Sequence, residues 1–193
     1  MKTKDLALMA LFIVLIIVGT FITIPLPLCP INLQPFFVVL TGLMLGGKKG
    51  SFSVLGYVLL GLVGVPVFTH GGGIGYVLQP TFGFMLGYII AAFIIGSVSS
   101  SGNQTVFRFT MAGLCGLAVV YGVGLAYYWC ISKYYLQSDI GVWTILVNCF
   151  FVPLPKDIVM CIPAAVLAKR LLPIVKSSEN IKQVKVKEDR NSK

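Results

Sequence analysis

Ten charged side chains are spread over the first 168 residues of this 193-residue chain, and eleven more crowd into the last 25. A water-soluble domain carries about 25% charged residues. With 57% hydrophobic residues and a mean hydropathy of +0.93, too little polar surface remains to cover a soluble globule. That excludes a cytosolic enzyme, a nucleic-acid-binding domain, a disordered protein and a secreted disulfide scaffold. The length suits a single domain, and the expected class is an all-α integral membrane protein.

The apolar runs approach the roughly 20 residues a spanning helix needs. Six are expected: Leu6–Ile24, Leu33–Gly47, Ser51–Phe68, a span within Tyr76–Ser97 beginning near Pro80, Val106–Ser132, and Gly141–Leu172. Pro25, Pro27 and Pro30 predict an extended loop after the first span. Gly46-Gly47-Lys48-Lys49-Gly50 predicts a turn, and Thr69 to Gly75 a flexible Gly-rich loop. Lys133–Asp139 reads as a polar loop. Gly42-x3-Gly46, Gly46-x3-Gly50 and Gly83-x3-Gly87 are spaced for close helix contact. Residues 1–172 form the expected membrane domain, and 173–193 a basic cytoplasmic tail.

Six spans put both termini on one side. Lys2, Lys4, Lys48, Lys49, Arg108 and the tail place 13 positive charges there, against Lys133 alone on the other side. The excess of positive charge inside makes both termini cytoplasmic. The tail from Lys169 holds eight Lys/Arg and three acids, a net +5, which suits an anionic leaflet better than nucleic acid. Tyr127, Tyr128, Trp129, Tyr134, Tyr135 and Trp143 read as an outer aromatic belt. The N-terminus mimics a signal peptide, but Gly19-Thr20-Phe21 offers no small-x-small cleavage site, so an uncleaved first helix is expected. Cys29, Cys115, Cys130, Cys149 and Cys161 form no CxxC pair and are expected to act as small hydrophobes rather than metal ligands or disulfides.

Lys156-Asp157 is the one charged pair inside an expected span. Placing each charge near the bilayer centre costs at least about 2.5–3.5 kcal/mol, so both should face a cavity or a partner. Neighbours on a helix point about 100° apart, which predicts separate partners for the two. Pro153 and Pro155 predict extended Val152 and Leu154 and a broken sixth helix. Its second segment would start at Pro155 and run about 27 Å to Leu172. A broken helix beside a charge points to a transporter binding site; an interfacial snorkelling pair is the bland alternative. His70 reads as an ordinary loop residue. The glycines after it lack the Gly-Lys-Ser/Thr of a phosphate loop and read as an outer lid or a plain connector. Asn32 and Gln34 are candidate amide ligands, with helix capping by Asn32 as the alternative.

Several motifs occur in one order: Pro30-Ile31-Asn32-Leu33-Gln34, Leu45-Gly46-Gly47-Lys48-Lys49-Gly50, Gly64-Val65-Pro66-Val67-Phe68, Pro80-Thr81-Phe82-Gly83-Phe84-Met85-Leu86-Gly87-Tyr88, and Pro155-Lys156-Asp157. Over about residues 6–172 the chain resembles the BioY family, the biotin-binding S components of energy-coupling factor (ECF) vitamin importers. The resemblance implies a six-helix bundle in a prokaryotic plasma membrane that captures biotin from outside. It also implies three partners: a membrane coupling subunit and two cytoplasmic ATPases. No cofactor or metal is expected.

The family's Ala-x-x-x-Ala contact with the coupling subunit corresponds to Ala10 and Val14. Where members commonly carry Pro-Gly-Asp-x-x-Lys, this chain has Lys156 in place of Gly and Met160 in place of Lys, so the ammonium is expected one turn earlier. Gln79 and Phe82 replace family glycines, and Met85 stands where some members have Arg. Biotin's carboxylate suits Lys156 near a helix start, and its ureido group suits Asp157, Gln34, Asn32 and the backbone of Gly72 and Gly73. Its apolar parts suit Tyr76, Phe82 and Phe84. A proton-coupled secondary transporter using Asp157 is the alternative, weakened by the lack of a repeated half. A membrane enzyme would need a base, nucleophile or metal set that Asp157 alone does not provide.

Overall fold

The computed structural model describes residues 3–26, 28–102, 104–137 and 141–191, with side chains described through Val175. Lys2, Pro27 and Asp139, and the side chains of the basic tail beyond Val175, lie outside the described residues. The chain is a helical membrane bundle: α1 (Thr3–Phe21), α2 (Gln34–Leu45), α3 (Gly47–Leu62), α4 (Phe82–Ser100), α5 (Val106–Cys130), α6 (Val142–Leu146) and α7 (Leu154–Asn191). A π-helical turn at Ile131–Tyr135 prolongs α5, and another at Val147–Phe151 joins α6 to α7. These joined helices reduce the bundle to six rods. Among the described residues, four are long and apolar enough to cross a membrane: Thr3–Phe21, Phe82–Ser100, Val106–Tyr135 and Val142–Val175.

The sixth rod corrects an expectation. Val152 is helical, with φ −76° and ψ −48°, not extended. The prolines are absorbed by widening: the Val152 N–H donates to the Val147 carbonyl at 3.1 Å, and the Asp157 N–H to the Pro153 carbonyl at 3.1 Å. A π turn relieves the proline's clash without an extended break.

Other boundaries shift for local reasons. The turn between α2 and α3 is Gly46 alone, with φ +77°, a conformation glycine adopts without steric cost. Lys48 and Lys49 therefore stand in the first turn of α3, the unfavourable end of the helix dipole for a cation. Lys49 is offset by an ion pair with Asp5 at 2.7 Å. The third helix stops at Leu62, short of Phe68. Gly64 takes φ +112°, and the Val65 N–H reaches back to the Leu60 carbonyl at 3.2 Å, a glycine-mediated stop. The first helix ends at Phe21; beyond it β1 (Thr23–Ile24) pairs antiparallel with β2 (Ile31–Asn32).

One end of the bundle gathers most of the positive charge. Lys4 donates to the Val175 carbonyl at 3.1 Å, Lys49 holds Asp5, and Arg108 Nε donates to the Val98 carbonyl at 3.0 Å. Lys133 lies at the far end of α5, over the Trp129 ring at 4.8 Å and the Tyr134 ring at 5.6 Å. The aromatic cluster divides. Trp129, Tyr134, Tyr135 and Trp143 are exposed, while Tyr128 is buried and Tyr127 donates to the Val77 carbonyl.

Small residues set the helix spacing. A Cβ on Gly87 would meet the backbone of Val120 at 2.9 Å, and one on Gly83 would meet Tyr127 at 2.3 Å. Gly42 lies against Ala92 and Gly50 against Gly42, whereas Gly46 has nothing within 4 Å and serves the turn. The tightest crossing is at Gly96, where a Cβ would sit 2.1 Å from the Gly47 nitrogen. Both sides there are backbone and cannot rotate away. Gly96→Leu is therefore expected to cost about 3 kcal/mol or more, the upper range of overpacking. Gly122→Ala, in open space, should change stability by under about 0.5 kcal/mol. Thermal unfolding of both variants in detergent micelles checks this; equal midpoints would contradict the packing account.

Candidate functional site

The length of α2 makes room for the site. Its 12 residues rise about 18 Å, against a hydrocarbon core of about 30 Å. The segment joining α1 and α2 leads into its N-terminus, with Thr23 opposite Asn32 and Ile24 opposite Ile31. Irregular backbone at membrane depth is tolerated where it packs on protein or lines a cavity. Here Cys29, Pro30, Ile31 and Asn32 form one wall of a cavity of about 560 Å³, its open mouth included. Cys149 in the π turn and Pro153, Lys156 and Asp157 around the start of α7 form another wall. α4 and α5 supply Phe84, Met85, Tyr88, Val120 and Tyr121.

Lys156 and Asp157, expected to seek separate partners, bind each other: Lys156 Nζ lies 2.7 Å from Asp157 Oδ1. The flexible four-carbon stem of lysine overcomes the divergence of adjacent helix positions. Lys156 Nζ also donates to the Asn32 carbonyl. Asp157 is 5% exposed and accepts a 2.6 Å hydrogen bond from the Tyr121 hydroxyl. A chain of contacts thus runs from α5 through α7 to the segment before α2.

Gln34 is buried, 1% exposed, in the first turn of α2. Its Nε2 approaches Met85 Sδ at 3.6 Å, and its Oε1 faces Asn32 Nδ2 at 3.4 Å. Asn32 Oδ1 accepts from the Gln34 N–H at 3.2 Å, so Asn32 satisfies an N-terminal donor of α2 while its amide lines the cavity. Asn32 thus caps the start of α2 and also borders the cavity. Tyr76 and Phe84 line the cavity as well.

Phe82 does not line it. Phe82 packs behind, with ring centroids 6.5 Å from Tyr76 and 6.0 Å from Tyr127. Gly72 and Gly73 also stay out of the cavity wall. The Gly73 N–H donates to the Gly61 carbonyl at 2.7 Å, and a Cβ on Gly72 would sit 2.3 Å from the Val65 carbonyl. These glycines pack onto the end of α3, while Thr69 at the start of the loop borders the cavity. His70 is exposed on that loop. Ala10 and Val14 are exposed on α1, away from the cavity.

Tyr121 was not among the expected site residues, yet it is the hydroxyl that holds Asp157. Its signal was available: a tyrosine in the middle of an otherwise apolar span needs a buried partner for its hydroxyl. Cys29 and Cys149 were also missed, since 120 positions separate them and only the fold brings them to one cavity. The resulting site offers one cation, one buried carboxylate and two amides within apolar and aromatic walls. That combination suits a small ligand with an acidic end and a hydrogen-bonding end.

The sequence profile of the BioY family matches residues 1–177. The chain is 39% identical over 189 residues to the probable biotin transporter BioY of Lysinibacillus sphaericus, covering 97% of this chain and 96% of that one. It is 35% identical over 170 residues to the biotin transporter BioY of Thermotoga maritima, covering 87% and 95%. In three dimensions it matches the crystal structure of the S-component for biotin from an ECF-type ABC transporter. The TM-score is 0.76 and the identity 29%, over 89% of this chain and 94% of that one. Likeness of this extent in both sequence and helix arrangement means that this chain belongs to the BioY family.

Proposed function

We propose that this chain is the high-affinity biotin-binding S component of an ECF-type importer, which captures biotin at the outer face of the cell membrane and releases it inward when coupled to an ATPase module. The observation that carries this reading is the cavity in which Lys156, Asp157, Asn32 and Gln34 converge between aromatic walls, in a chain similar to proteins named biotin transporters. Biotin's carboxylate takes the Lys156 ammonium, its ureido N–H groups donate to Asp157, and Gln34 and Asn32 complete the ureido contacts. Tyr76 and Phe84 bound its apolar parts, with Phe82 supporting Tyr76. Gly72 and Gly73 shape the loop that carries Tyr76.

The charged end of the bundle is cytoplasmic, with both termini and the tail 173–193 beside the anionic leaflet, in a prokaryotic plasma membrane. The cavity then opens outward. The outward face of α1 at Ala10 and Val14 is the contact for the coupling subunit, and two ATPase partners supply the hydrolysis.

Lys156→Ala separates the ligand contact from the structural one. It leaves Asp157 without its cation for every ligand, so that shared loss cancels between two ligands. A charge-assisted hydrogen bond contributes about 1.5–3 kcal/mol. Biotin affinity should therefore fall roughly ten- to hundredfold more than the affinity for its methyl ester. Isothermal titration with both ligands reads the difference, and equal losses would remove the carboxylate contact. Tyr121→Phe, which takes one hydrogen bond from Asp157, should weaken both ligands alike by roughly 0.5–1.5 kcal/mol. In cells, biotin uptake should stop on ATP depletion and survive collapse of the proton gradient; the reverse pattern would indicate a proton-coupled carrier.

A further inference from the structure

The motif Gly64-Val65-Pro66-Val67-Phe68 lies outside the cavity wall, yet Phe68, on a loop, keeps only 2% exposure. Its ring enters α3. A Cβ on Gly61 would sit 2.0 Å from Phe68 Cζ and 2.4 Å from Cε1 and Cε2. The tip of the ring therefore holds the space of the side chain that Gly61 lacks. Tyr57, one turn earlier on α3, meets Phe68 edge-on, with ring centroids 5.6 Å apart. Tyr76 packs on Phe68 with centroids 4.5 Å apart and planes inclined by 44°.

The backbone around Phe68 is tied to the same helix. The Tyr57 hydroxyl donates to the Val67 carbonyl at 3.1 Å, and the Gly73 N–H donates to the Gly61 carbonyl at 2.7 Å. Phe68 and Gly71 exchange both backbone hydrogen bonds, at 2.9 and 3.1 Å, which closes a tight turn. Thr69, the next residue, borders the cavity, as does Tyr76. We propose that Phe68 is a positioning residue: its ring, seated in the socket that Gly61 leaves on α3, sets where Tyr76 stands in the ligand cavity.

Size decides how the socket works. Non-bonded carbon atoms pack at about 3.5–4.0 Å, so a methyl group at position 61 drives the ring tip out by about 1.5–2 Å. Tyr57 does not yield. It has no exposed surface, and its hydroxyl meets Thr20 on α1 at 3.2 Å as well as the Val67 carbonyl. The displacement therefore passes to Tyr76, whose ring packs against Phe68. Its effect on biotin rests on the proposed binding function; the seating of Phe68 does not.

The test uses the full-length chain in lipid nanodiscs, read by isothermal titration with biotin and by fluorine NMR of 3-fluorotyrosine-labelled protein. The Tyr76 resonance is assigned by its loss in Tyr76→Phe. Gly61→Ala should shift that resonance in ligand-free protein and weaken biotin roughly two- to tenfold, the scale of one aromatic contact. In a Tyr76→Ala background the same substitution should change biotin affinity by less than about twofold, because the group it acts through is gone. Gly61→Ala combined with Phe68→Leu, which removes the ring tip that the methyl strikes, should bind biotin more tightly than Gly61→Ala alone. An unmoved Tyr76 resonance, equal losses with and without the Tyr76 ring, or no recovery in the combined variant overturns the proposal. Phe68→Leu adds no clash and gives the first two readings where Gly61→Ala does not fold. Wild-type protein that binds no biotin sinks the functional reading instead, and the Tyr76 resonance then judges the seating alone.

Discussion

The carboxylate of Asp157 is the group around which the site is organised. An ion taken into an apolar interior costs several kcal/mol unless it is paired and hydrogen-bonded. Asp157 meets that requirement with the Tyr121 hydroxyl from α5 at 2.6 Å and the Lys156 ammonium at 2.7 Å. Lys156 in turn holds the Asn32 carbonyl. Satisfying one buried charge therefore fixes the positions of two helices and of the irregular segment that precedes α2. The same set of contacts makes the polar side of the cavity.

The rest of the bundle supplies a frame in which that polar set can stay dry. Between helices in lipid there is little hydrophobic driving force, so close packing of small residues carries the association. Gly87 against Val120 and Gly96 against the Gly46–Gly47 backbone bring α4 next to α5 and next to the α2–α3 turn. Tight contact near the charged end coexists with a cavity near the other end because α2 is short. A full-length second helix would fill the space now held by Asn32, Cys29 and the ligand cavity.

Much of this was legible in the sequence because the membrane makes charge placement so costly. The scarcity of charge located the spans, and Lys156-Asp157, Asn32, Gln34, Tyr76 and Phe84 do converge on one cavity. What was not legible depends on how local strain is relieved and on distant pairing. Pro153 and Pro155 suggest an extended break, but a π turn can widen a helix enough to pass them, and no residue pattern distinguishes the two outcomes. Adjacency of Lys156 and Asp157 suggested separation, because helical geometry was applied without the reach of the lysine stem. The close approach of Gly72 to Val65 and of Gly73 to Gly61 is a backbone contact no side-chain pattern reveals. That Cys29 and Cys149 line one cavity is a property of the fold alone.

The position of the ammonium has a further consequence for recognition. The family resemblance sets a lysine one turn later, where this chain has Met160, which is half-buried and outside the cavity wall. At position 156 the cation is next in sequence to its counter-ion, so their pairing orders little additional chain and the empty cavity is near neutral. Lys156 keeps 27% side-chain exposure, whereas Asp157 keeps only 5%. The cation is thus the more accessible partner, and the carboxylate that Tyr121 also holds is the more deeply buried one. On the proposed reading, an entering carboxylate competes with Asp157 for Lys156, while Asp157 stays held by Tyr121 to accept from the ligand's N–H groups. A neutral ligand without an acidic end would leave the ion pair intact and the carboxylate still occupied. On that proposed reading the pair favours ligands carrying both an acid and N–H donors, the combination biotin presents.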